Sequence, residues 1–120
     1  MYTDGRMRYE ELKVYRETQG LLLRVSKLHD VLEIGGSSDF QALKQELMEV
    51  LTCIWRASEN PEDGAAIDAA VAHMVRSKVW LRVLTETHLI TRFVYQQLNI
   101  TAAGIMTLLT AWPNNPDNPT

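Results

Sequence analysis

At 120 residues the chain has the length of one domain, enough for a single core without disulfide or metal staples. Its 46% hydrophobic and 22% charged residues exclude low-complexity disorder, and no run approaches the roughly 20 apolar residues of a membrane span. A net charge of −3 argues against strong nonspecific nucleic-acid binding, and a single cysteine, Cys53, excludes an internal disulfide or a cysteine metal cluster and predicts a reducing, cytoplasmic setting.

Residues 1–7 lack the apolar centre of a signal peptide and read as a disordered N-terminus. The first helix is predicted from about Arg8 to Leu32. Its seam is Val14, Thr18, Leu21, Val25, Leu28 and Leu32, spaced alternately by four and three residues. Lys13, Arg16, Arg24 and Lys27 fall within about 80° of helical arc, with Gly20 in the same stripe. Two readings fit this stripe. A basic strip relieved by a glycine can lie along a phosphate backbone; a solvated helix face, partly neutralised by Glu10 and Glu17, needs no ligand.

Gly35 and Gly36 end this helix, and Ser38 with Gln41 forms a capping box for the next, predicted from about Asp39 to Ala57. Its seam is Phe40, Leu43, Leu47, Val50, Ile54 and Ala57, which leaves Glu46 and Glu49 to solvent and makes Cys53 a small buried hydrophobe. The composition of residues 59–64 predicts a turn.

The third helix is predicted from about Ala65 to Leu89, with a polar face only around Lys78, Arg82, Thr85 and Glu86. Arg76 falls on the apolar arc with Val79, Trp80 and Val83, where it must snorkel, stack on an aromatic ring or pair with a carboxylate. An intersubunit salt bridge is the first expectation for it and nucleic acid the second. The fourth helix starts near Thr91, an N-cap, and its seam is Val94, Leu98, Thr101, Ile105, Leu108 and Trp112. It holds no charge from residue 93 to residue 112, and Thr101 to Gly104 make a small-residue strip. Residues 113–120, with three prolines and no apolar side chain, read as a disordered tail.

Helices of this length with short connections predict an all-α, antiparallel up-down-up-down four-helix bundle over residues 8–112. The third and fourth helices are apolar over too wide an arc for one buried face each. The surplus implies a second buried face, a homo-oligomer interface with Arg76, Trp80, Val83, Ala103, Gly104 and Trp112 as candidates. A bundle with an apolar surface is the alternative. No Glu stands three residues before a His, and no phosphate loop, nucleophile elbow, HExxH or CxxC pattern occurs. His29, His73 and His88 read as capping or core residues. The chain is therefore expected to be no enzyme and to hold no metal or cofactor.

Residues 8–28, RYEELKVYRETQGLLLRVSKL, resemble the opening helix of the four-helix bundle proteins encoded in intervening sequences of bacterial ribosomal RNA genes and of the accessory variability determinant (Avd) of diversity-generating retroelements. Trp80 to Leu84, WLRVL, preceded by Arg76, resembles the Avd third helix, and Leu108 to Trp112, LLTAW, its C-terminal ending. The second helix lacks the paired arginines and Ile-Ala-Glu-Gly ending of the ribosomal branch, so the Avd-like branch is nearer. Avd proteins are strongly basic, whereas this chain is net acidic. The resemblance implies a ring-like homopentamer of four-helix protomers that binds nucleic acid and a reverse transcriptase, without catalysis of its own. Arg76 and Arg82 match basic family positions; Lys13, Arg16, Arg24 and Lys27 are analogues on the same element, and Lys78 and Arg82 complete the candidate nucleic-acid residues. A structural oligomer acting through protein contacts, with no nucleic acid and no membrane, is the alternative function.

Overall fold

The computed structural model describes residues 9, 12–32, 37–60, 62 and 64–112, and within them runs four helices: α1 (Lys13–Leu32), α2 (Ser37–Glu59), α3 (Gly64–Glu86) and α4 (Arg92–Thr110). No strand occurs among the described residues, and no helix is long and apolar enough to cross a membrane. The expected start of α1 at Arg8, the helix-ending Gly35 and Gly36, and the two segments read as disordered (1–7 and 113–120) lie outside the described residues.

Each helix packs on the next in the chain, and α1 also meets α4, so the four surround one core. The α2–α3 contact is the most extensive. On α1, Val14, Thr18, Leu21 and Val25 are buried, while Leu28 packs partly exposed against the core. All six seam residues of α2 are buried, Phe40 being the most accessible at 2%. Thr18 is the odd member of its seam. Its Oγ1 donates to Val14 O at 2.8 Å, which satisfies the hydroxyl inside the helix and removes the cost of burying it.

On α3 the buried stripe is Ala66, Ile67, Ala70, Met74, Ser77, Leu81 and Leu84, stepping by three and four after Ile67. Three of the seven, Ala66, Ala70 and Ser77, are small, so the stripe marks its face only weakly by hydropathy. Val79, expected on the apolar arc, is instead 57% exposed, and Val75 one turn before it is 47% exposed. Ser77 takes the inward position because its Oγ donates to His73 O at 2.9 Å. The α4 stripe is Leu98, Ala102, Ile105, Leu109 and Trp112, so Ala102 and Leu109 replace the expected Thr101 and Leu108. Both replaced residues are still half-buried, turned toward the flank of the helix.

α3 stops at Glu86, earlier than the expected Leu89. His88 adopts the left-handed φ of 63°, its N–H donates to Thr85 O at 3.0 Å, and Leu89 N–H donates to Leu84 O at 2.9 Å. These two bonds make a Schellman ending, which turns the chain toward α4. Thr91 caps α4, its Oγ1 accepting from Val94 N–H at 3.1 Å.

Candidate functional site

The candidate cations divide by what already holds them. Arg24 reaches from α1 to α4, where its Nη2 donates to Thr101 Oγ1 at 3.2 Å and to Gln97 O at 3.5 Å. Arg76 is also engaged. It is 53% exposed, and its Nε lies 3.3 Å from Glu46 Oε1 on α2 of the same chain. The same oxygen lies 2.7 Å from His73 Nδ1. Arg76 therefore sits on the outer arc of α3 rather than its apolar arc, because Ser77 takes the inward position beside it. Its carboxylate partner is intramolecular, and Glu46, expected to be solvated, joins α2 to α3 by bridging two α3 side chains.

Lys13, Arg16, Lys27, Lys78 and Arg82 form no ion pair among the described residues. Lys13, Arg16 and Lys27 are exposed along α1. Lys78 and Arg82 line the seam between α3 and α4, joined there by Arg92, which sequence reasoning did not single out. The candidates thus form two sets, one on each side of α4.

Between the two sets lies the outer face of α4. Phe93 and Ile100 are each 68% exposed, and Gln96, Gln97, Ala103, Gly104 and Thr107 are exposed with them. No charged residue interrupts this face after Arg92. Gly104 opens onto free space, with no atom within 4 Å of where a Cβ would stand. Of the other interface candidates, Trp80 is half-buried against the core, Val83 is half-buried, and Trp112 is 3% exposed inside the protomer's own core. Trp112 offers no surface to a neighbour.

The grooves flanking α4 differ in character. On the α1 side, Leu28, Val31, Phe93, Val94 and Leu98 make an apolar groove with Arg24 and Lys27 at its edge. On the α3 side, two clefts share Arg82 and Tyr95. Tyr95 went unremarked in the sequence because nothing in the local pattern says which neighbour that flank of α4 will face. Among the described residues, no three of His, Cys, Asp and Glu come together as a metal-binding group.

No family model matches the chain, and no curated protein or solved structure is detectably similar to it.

Proposed function

We propose that the chain is an antiparallel up-down-up-down four-helix bundle that acts as a non-catalytic adaptor, self-associating and binding nucleic acid. In the setting implied by the Avd resemblance it is a cytoplasmic accessory protein of a diversity-generating retroelement, assembling with a reverse transcriptase and its template RNA or cDNA. One observation carries this reading. Cations that form no ion pair among the described residues flank the uncharged outer face of α4, on a chain whose surplus acids lie elsewhere: residues 36–64 hold six acids and two bases, residues 65–112 two acids and four bases. A locally basic surface on a net-acidic chain attracts phosphate without a global field.

Electrophoretic mobility shifts with RNA and DNA at two salt concentrations, together with a reverse-transcriptase pull-down, test the proposal. Binding that weakens as salt rises is the expected result, since phosphate contacts release counterions. No shift even at low salt, with no pull-down, overturns it.

The exposed Phe93 and Ile100 favour a second reading, a structural oligomer that works through protein contacts alone. An oligomer in light scattering that shifts no nucleic acid selects this reading over the first.

A further inference from the structure

We infer that the trough between α3 and α4 is a binding site for single-stranded nucleic acid, with Tyr95 as its stacking platform. The inference rests on the nucleic-acid reading above and narrows it to one surface and one strand form. The trough is formed by the two clefts that share Arg82 and Tyr95, of about 300 and 220 Å³. Val75, Val79 and Met106 line one end of it, and Thr85, Gln96 and Arg92 the other.

Three features of the trough suit a strand whose bases are unstacked. Lys78, Arg82 and Arg92 supply three cations against one acid, Glu86, and none of the four has an ion-pair partner among the described residues. Tyr95 lies at the junction of the clefts, half-buried against the core and so held in place. Aromatic rings beside a basic track bind successive bases by stacking, largely without regard to sequence, because every base has a π-face. Exposed valines and a methionine beside the ring give apolar surface for a base or sugar, and Gln96 and Thr85 give hydrogen-bonding groups. In a duplex the bases are stacked on one another, and a ring half-sunk between two helices does not reach them. The α1 stripe is a poorer candidate, since Arg24 is committed to α4 and the remaining bases of that stripe are exposed along a single helix.

Fluorescence anisotropy with labelled oligo-U, oligo-dT and a duplex of equal length, on the full chain, tests the inference. The single strands are expected to bind about tenfold more tightly than the duplex. Tyr95→Leu is expected to weaken single-strand binding about tenfold with an unchanged salt slope, and Tyr95→Phe to retain it. Lys78→Gln with Arg82→Gln is expected to lower the salt slope by about 0.7 for each cation removed. Equal binding of duplex and single strand overturns the inference, as does competition by poly-glutamate as effective as that by oligo-U, which marks a site that reads charge alone. Where Tyr95→Leu reduces helicity, photocrosslinking of a bromouridine strand to the unmodified chain decides instead. Adducts on Tyr95 or its neighbours in the trough uphold the inference, and adducts confined to α1 overturn it. Absence of binding to any nucleic acid defeats the functional proposal as well; binding untouched by both variants defeats only this inference.

Discussion

His88 occupies a position that glycine usually fills. Its φ of 63° is left-handed, where a Cβ crowds the following carbonyl, at a cost of roughly 1–2 kcal/mol. The Schellman bonds to Leu84 and Thr85 hold it there. His88→Gly is therefore expected to stabilise the fold by about 0.5–1 kcal/mol, part of the relief being lost to the greater freedom of unfolded glycine. His88→Val, with a branched Cβ, is expected to destabilise it by about 1 kcal/mol. Urea denaturation of the three proteins checks both; a His88→Gly midpoint below that of the parent refutes the argument. Arg76 makes the complementary case at this scale. Arg76 is half-exposed, and its partly buried partner Glu46 keeps His73 when the arginine is removed, so Arg76→Ala is expected to change stability by less than about 1 kcal/mol. Because its partner Glu46 lies in the same chain, the same variant is expected to leave the oligomeric state unchanged in light scattering. Dissociation on Arg76→Ala would restore an intersubunit role.

At the scale of the helix, what was legible depended on how strongly hydropathy marks the buried face. The α2 seam carries five large apolar residues at alternating steps of three and four, and all six of its positions are buried. The α3 stripe has Ala or Ser at three of its seven positions, which weigh little in any hydropathy pattern, so the exposed Val79 drew the apolar arc to the wrong side. That error placed Arg76 inside. The cap at Thr91 was legible because it depends on one residue type at one position. The site was half legible: the cations could be read, but which of them are free could not, since Glu46 and His73 are 27 residues apart and meet only when α2 packs on α3. Gly104 tests whether α4 is shaped by its own stability or by a neighbour. It is exposed and helical, and a Cβ there meets nothing. Gly104→Ala is thus expected to stabilise the isolated protomer by about 0.5–1 kcal/mol through helix propensity. Thermal denaturation at concentrations low enough to disfavour assembly measures this, and a loss of stability there shows that the glycine serves the protomer itself.

For the whole molecule the open matter is what covers α4. Its outer face carries Phe93 and Ile100 at 68% exposure each, seven residues apart and therefore in one line along the helix. Glutamines, an alanine, a glycine and threonines fill the space between and beyond them, with no charge to hold water there. Scattered surface leucines and valines are normal, but an uncharged strip along a full helix, bordered by cations on both sides, has the anatomy of an interface with a polar rim. If a second copy covers it, a charge placed on that strip opposes association while leaving the core untouched, because neither side chain is buried within the protomer. Phe93→Glu with Ile100→Glu is accordingly expected to yield a monomer in light scattering, with the helical circular dichroism of the parent. Lys13→Glu on exposed α1 serves as the charge control and is expected to leave the oligomer intact. A parent chain that is already monomeric at the highest measurable concentration removes the basis for self-association. It would leave the strip as a surface for a different protein, and the cations of the α3–α4 trough would then have to act from a single protomer.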